Sequence, residues 1–143
     1  MFMGEYNHSI DAKGRVTVPS KFREALGEHF TVTKGLDHCL WVFPEDAWTE
    51  FSGKLQELPL ARKEARNFSR FFLAGACEAE TDKMGRILIP QVLRDYAGLE
   101  TDAVLIGAGA RVEIWNKSAW ESVSTFDDVD ELAEHMGEWG FGI

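Results

Sequence analysis

Cysteine, proline and long apolar runs are all scarce in this chain. Its 143 residues hold two cysteines, Cys39 and Cys77. They could form one disulfide at most, which excludes a small disulfide-stapled scaffold. No hydrophobic stretch nears the roughly 18 residues of a membrane-crossing helix. The amino end, Met1-Phe2-Met3-Gly4-Glu5, has neither the basic cluster nor the apolar stretch of a secretory leader. A soluble, cytoplasmic protein is the expectation. Enzyme signatures are missing as well. Gly107-Ala108-Gly109 opens a dinucleotide pattern, but Val112 stands where the third glycine belongs. There is no G-x-x-x-x-G-K-[ST], no H-E-x-x-H and no C-x-x-C. His8, His29, His38 and His135 are not spaced as metal ligands, and His38 beside Cys39 on an extended segment would face the opposite side. No catalytic residue, metal or cofactor is expected.

Positive charge is short too, with a net charge of −9. Its distribution matters more than its sum. Seven acids and no Lys or Arg lie from Glu121 onward, which leaves residues 1–120 with 15 basic side chains against 17 acidic ones. Within that part Lys13, Arg15, Lys21 and Arg23 form one basic cluster, and Arg62, Lys63, Arg66 and Arg70 form another that encloses only Glu64. Local potential steers a charged partner, so the acidic total excludes little.

What the chain does have is an internal repeat. Asp11-Ala-Lys-Gly-Arg-Val-Thr-Val-Pro19 returns as Asp82-Lys-Met-Gly-Arg-Ile-Leu-Ile-Pro90. The offset is 71, kept by Arg23/Arg94 and Gly27/Gly98. One inserted residue then makes it 72, aligning Val32 with Val104, Gly35 with Gly107 and Trp48 with Trp120. Each copy reads strand, strand, helix, strand, strand. Tyr6, His8 and Ile10 alternate with polar residues, and Cys77, Ala79 and Thr81 do so more weakly. Asp-x-x-Gly supplies a turn, with Gly14 or Gly85 free to take positive φ. Pro19 and Pro90 open short helices with apolar pairs Phe22/Leu26 and Leu93/Ala97. Strands follow at 30–33 and 40–43, and at 103–106 and 112–115.

Between the copies, Trp48, Phe51, Leu55 and Leu58 recur at helical spacing up to Pro59. Ala61, Ala65, Phe68 and Phe72 mark a second helix, with Arg62, Arg66 and Arg70 on its other face. Asn116 is an N-cap candidate for a final helix. The domain organisation is therefore a first unit at 5–48, a helical linker at 49–75, a second unit at 76–120, and an acidic helix and tail at 121–143. Units of about 44 residues bury too little surface alone, so they should share one core. The recurrence of Trp48 and Trp120 favours core packing over a base-stacking platform.

The chain resembles the MraZ family of bacterial transcriptional regulators, within the AbrB-like DNA-binding superfamily. The resemblance rests on Met1-Phe-Met-Gly4, Asp11-Ala-Lys-Gly-Arg15 with Pro19, and Val32-Thr-Lys-Gly-Leu-Asp37 in copy one. Asp82-Lys-Met-Gly-Arg86, Ile106-Gly107 and Glu113-Ile-Trp115 carry it in copy two. It implies a mainly β, α+β fold of two pseudo-symmetric swapped-hairpin β-barrel units joined by a helical hairpin. It further implies ring-shaped homo-oligomers that bind direct repeats in double-stranded promoter DNA and control the cell-division and cell-wall gene cluster, including the protein's own gene. A nucleoid-associated location goes with that role.

The residues allow two readings of Asp-x-x-Gly-Arg. The carboxylate can lock the turn through the guanidinium, or the Arg can face phosphates and base edges. The candidate DNA-binding residues are Arg15, Lys13, Arg86, Lys83, Lys21 and Arg23, with Asp11, Gly14, Asp82 and Gly85 shaping the loops. Lys13 stands where copy two has Met84, which predicts that copy one binds more strongly. Two competing readings are a small enzyme using Asp11 or Asp82, and an oligomeric scaffold with vestigial loops.

Overall fold

A computed structural model of the chain describes residues 1–142. In chain order the strands are β1 (Glu5–Ser9), β2 (Arg15–Thr17), β3 (Phe30–Lys34), β4 (Leu40–Pro44), β5 (Cys77–Ala79), β6 (Arg86–Leu88), β7 (Asp102–Gly107) and β8 (Val112–Asn116). The helices are α1 (Ser20–Leu26), α2 (Glu45–Gln56), α3 (Lys63–Ala74), α4 (Gln91–Ala97), α5 (Lys117–Val123) and α6 (Val129–Met136). The expected α+β class holds, and so do both inter-unit helices.

The two copies interleave. A six-stranded antiparallel sheet runs β1-β7-β8-β4-β3-β5, and β2 pairs with β6 in a separate ribbon. The first strand of each copy thus pairs with the third strand of the other, a pattern compatible with swapped hairpins. Exchanging the copies maps the strand order onto itself read backwards, so a pseudo-two-fold passes between β4 and β8 and between β2 and β6.

Both faces of the large sheet are covered. Leu40, Val42, Val112 and Ile114 point to one side, where they meet Val16 and Ile87 from the ribbon and Phe22, Leu26, Leu93 and Ala97 from α1 and α4. Trp41, Phe43 and Trp115 point to the other, where Leu55, Phe72, Trp48 and Trp120 cover them. Full burial of one such side chain stabilises the fold by roughly 1.5–3 kcal/mol. Both repeats supply the first core, as expected of units too small to close one alone. Glu113 is the charged exception on the helix side. It accepts hydrogen bonds from Arg111 (2.7 Å) and from Trp115 Nε1 (2.9 Å), while the Arg111 guanidinium lies 4.0 Å above the Trp41 ring.

Three sequence expectations shift. The 72-residue offset fails at β3 and β7. Val32 pairs with Cys77 and Val42, whereas Tyr6 and Ile114 pair with Leu105 rather than Val104. The structural counterpart of Val32 is therefore Leu105, on the ribbon side of the sheet, and Val104 faces the helices. A one-residue slip in a strand exchanges its faces. The second copy takes two extra residues before β7 and returns one in the shorter β7–β8 turn.

The apolar stripe of α3 is also displaced. Ala61 precedes the helix and is exposed, and Phe68 is 45% exposed. Phe72 is buried as expected, joined by Phe71 in place of Phe68, and its carbonyl accepts the Thr33 hydroxyl at 2.8 Å. Finally, the single terminal helix is two. Asn116 caps α5 by accepting the Ala119 N–H, and Phe126, at φ 56°, breaks the chain before α6. Ser124 and Thr125 in this break compete for backbone hydrogen bonds and disfavour a continuous helix. Gly137–Trp139 add one 3-10 turn to the Gly-rich end, and Ile143 lies outside the described residues.

Candidate nucleic-acid interface

The β2–β6 ribbon is three pairs long: Arg15 with Leu88, Val16 with Ile87, and Thr17 with Arg86. Strand alternation sends Val16 and Ile87 into the core and leaves Arg15, Thr17, Arg86 and Leu88 on the outward face. The pairing continues through the turns, because Val18 N–H donates to the Gly85 carbonyl and Ile89 N–H to the Gly14 carbonyl. Both copies of the motif therefore form one surface, with their Asp-x-x-Gly turns at opposite ends.

Each turn is held from inside. Asp11 accepts the backbone N–H of Lys13 (3.0 Å) and of Arg15 (2.9 Å), and Arg15 Nε donates to it at 2.7 Å. Asp82 repeats the pattern with Met84, Arg86 and Arg86 Nε. The backbone bond from Arg15, opposed by some desolvation, brings the Asp11 carboxyl down to about 2, and Asp82 is lowered by the same contacts. The first of the two readings of Asp-x-x-Gly-Arg, the carboxylate locking the turn through the guanidinium, is therefore present in both copies. The hydrogen bonds to Asp use Nε, which aims the guanidinium without enclosing it, and each Arg keeps a quarter to a third of its side chain exposed. Arg86 Nη1 also lies 3.8 Å from Asp11, so its charge is shared between two carboxylates.

Lys13, Lys21 and Lys83 are exposed around this ribbon. Arg23 is placed differently. Half-buried, it donates to the Val18 carbonyl at 2.7 Å, and its guanidinium lies so close to Gly85 that a Cβ there would collide with it. Arg94 mirrors it, donating to Ile89 O and resting against Gly14. Each Arg braces the glycine turn of the other copy. Gly14 and Gly85 take φ of 87° and 75°, so both positive φ and the packed guanidinium call for glycine. Sequence reasoning saw that Arg23 and Arg94 share the repeat register but assigned no role to Arg94. It also missed Thr17 and Leu88, which the alternation of β2 and β6 would have placed outward. Arg62, at the N-cap of α3, and Arg66 and Arg70 on it sit across the sheet, where Arg66 donates to the Leu60 carbonyl and Arg70 to Asn67.

Features that would favour catalysis point the other way. A general acid or base needs a pKa near the working pH, and Asp11 and Asp82 are lowered. An open cavity of about 550 Å³ lies beside β3 and β5 with His29, Trp48 and Cys77 in its wall, away from the ribbon. Burial raises the Cys77 thiol and pushes Cys39 up to about 12, which disfavours either as a nucleophile.

Fold and site together define a class: a tandem-repeat α+β protein whose halves interleave to present one paired Asp–Arg ribbon. A family profile described as "MraZ protein, putative antitoxin-like" matches residues 1–71 and again 72–135. A protein of Lachnoclostridium phytofermentans named transcriptional regulator MraZ is 57% identical over 143 residues, all of both chains. Proteins of the same name from Thermoanaerobacter sp. strain X514 and Acetivibrio thermocellus are each 56% identical, covering 96% and 98% of this chain and 98% and 99% of their own. The chain belongs to the MraZ family.

Proposed function

We propose that this chain is a DNA-binding transcriptional regulator that reads duplex promoter DNA with the outward face of the β2–β6 ribbon. The observation that carries this reading is the placement of Arg15 and Arg86 on one two-stranded surface, each aimed by its own Asp. A two-stranded β-ribbon fits the major groove of B-form DNA, and a guanidinium there can take guanine O6 and N7 together. Arg15 is the leading base-contacting residue and Arg86 the weaker second. Lys13, Lys83 and Lys21 meet phosphates. Arg23 acts through the loop it braces. The family names of its relatives and the lowered pKa of Asp11 and Asp82 favour this reading over an enzyme.

The finer reading is that the protein assembles into a ring-like homo-oligomer and binds direct repeats upstream of its own gene, in the cell-division and cell-wall cluster. This places its work in the cytoplasm, on the nucleoid. No helix among the described residues is long and apolar enough to cross a membrane. The test is salt-dependent binding to DNA from upstream of its own gene, against scrambled DNA of equal length. Tighter binding to the natural sequence, weakening linearly in log–log salt plots, is the expected result. No binding at low salt would overturn it.

A further inference from the structure

Helix α6 has no buried residue and stands away from both cores. Its sequence nevertheless writes an apolar stripe, Val129, Leu132, Ala133 and Met136, at i, i+3, i+4 and i+7. Val129 and Leu132 are 50% and 44% exposed, and Phe126 and Trp139 at its two ends are exposed as well. Eight residues fall short of the roughly 12–15 an isolated helix needs in water, so this helix requires a surface to lie on. Its opposite side is acidic. Asp127, Asp128, Asp130, Glu131, Glu134 and Glu138 have no Lys or Arg among them.

A matching surface lies on the helical hairpin. Between α2 and α3 runs a groove of about 280 Å³ walled by Leu55, Leu58, Leu60, Ala65 and Ser69. Leu60 is 78% exposed at its mouth, and Phe68 stands open on the same helix. Arg66 lines the groove, Arg62, Lys63 and Arg70 are exposed on the same hairpin, and Glu57 and Glu64 are the nearby acids. Groove and amphipathic helix stand open together in the single chain, with complementary shape class and opposite charge.

We propose that α6 of one copy seats its apolar stripe in the α2–α3 groove of a second copy, with its acids against Arg62, Arg66 and Arg70. The contact joins two different patches, so it is head-to-tail and propagates from copy to copy, closing into a ring where the rotation allows. It rests on the oligomer reading above and adds the seam. It also gives the α3 arginines and the acidic tail a shared role on the side of the sheet away from the ribbon.

Two full-length variants, Leu60→Cys and Leu132→Cys, test it when mixed, oxidised and analysed without reductant, with the unaltered chain as control for Cys39 and Cys77. The expected product is a linked pair of twice the 16.1 kDa chain mass, formed several-fold more from the mixture than from either variant alone. No pair from the mixture overturns the proposal. So does a double variant that closes the link within one chain at nanomolar concentration. Light scattering on the unaltered protein separates the two levels of failure. An oligomer without the cross-link puts the seam elsewhere, whereas a 16.1 kDa particle removes the oligomer reading itself.

Discussion

Arg15 and Arg86 occupy equivalent positions but not equivalent surroundings. Arg15 answers to Asp11 alone, while Arg86 is drawn toward Asp82 and, at 3.8 Å, toward Asp11 as well. A guanidinium shared between carboxylates is less free to turn to a base. Replacing Arg15 with Ala should therefore remove the preference for promoter over scrambled DNA, about 1–3 kcal/mol for one bidentate guanine contact. Arg86→Ala should remove less, and both variants should melt as cooperatively as the unaltered chain. Lys13→Ala should weaken binding to both DNAs alike and lower the salt slope by roughly one. Competition titrations at two or more salt concentrations read all three effects. Equal discrimination by Arg15→Ala and the unaltered chain would remove Arg15 from the site.

The same carboxylate sets a pH dependence. The folded-state pKa of Asp11 is about 2, below its ordinary 3.8, so ionised Asp11 favours the folded turn. Its contribution is complete above the ordinary value and lost as pH falls through the folded one. Asp11→Asn should melt at a lower temperature than the unaltered chain near pH 6. The gap should close as both are taken from pH 4 toward 2. A gap that persists at pH 2 would mean that charge on Asp11 is irrelevant to the turn.

At the scale of elements, the glycine turns couple local geometry to the contact between repeats. Gly85→Ala introduces a Cβ at φ 75° and drives it into the Arg23 guanidinium. Strain at such a position costs of order 1–3 kcal/mol, which urea denaturation would register as a lower midpoint. Gly98→Ala is the useful comparison, because Gly98 also sits at positive φ, 63°, and an added Cβ there meets only Asn116 Nδ2 at 3.7 Å, an ordinary contact. A larger loss at Gly85 isolates the brace; equal losses would leave Arg23 without that role.

The turns, the strands after them and the Asn116 cap were all legible, because each depends on residues within a few positions of one another. Strand partners were not. The pattern Tyr6, His8, Ile10 says that β1 has a buried side but not that β7 covers its edge. The slip at β7 was silent for a related reason. Ala103, Val104, Leu105 and Ile106 are all apolar because both faces of that sheet are buried, so the sequence has no alternation to fix register. Within the site, Asp11, Gly14 and Arg15 could be named from spacing alone. Arg23 reads from the sequence as a DNA contact although it braces a turn, since an arginine that donates to a carbonyl and one that meets phosphate have the same sequence signature.

For the whole molecule, strand exchange and net charge each carry a consequence. The exchange leaves a fragment of residues 1–50 without β7 for its first strand and β6 for its second. It would also lack half of the ribbon-side core. Such a fragment should be unfolded or aggregated by circular dichroism and light scattering, and a cooperatively melting monomer would contradict a shared core. The charge of −9 sets the harder constraint, because one chain offers DNA only a few cations at a single ribbon while its acidic carboxyl-terminal segment repels the duplex. One ribbon on one repeat should then bind weakly. Several ribbons carried by one assembly change the arithmetic. After the first repeat is bound, each further contact is intramolecular, and linked sites can gain 10²–10⁴ in affinity without a new kind of contact. DNA with several repeats at natural spacing should therefore bind at least ~100-fold more tightly than DNA with one. Shifting one repeat by half a helical turn should forfeit much of the gain, since that ribbon would face the wrong side of the duplex. Titration of labelled duplexes with one, two and four repeats gives the comparison directly. If a single repeat binds as tightly as four, affinity resides in the individual ribbon and the assembly contributes nothing to it.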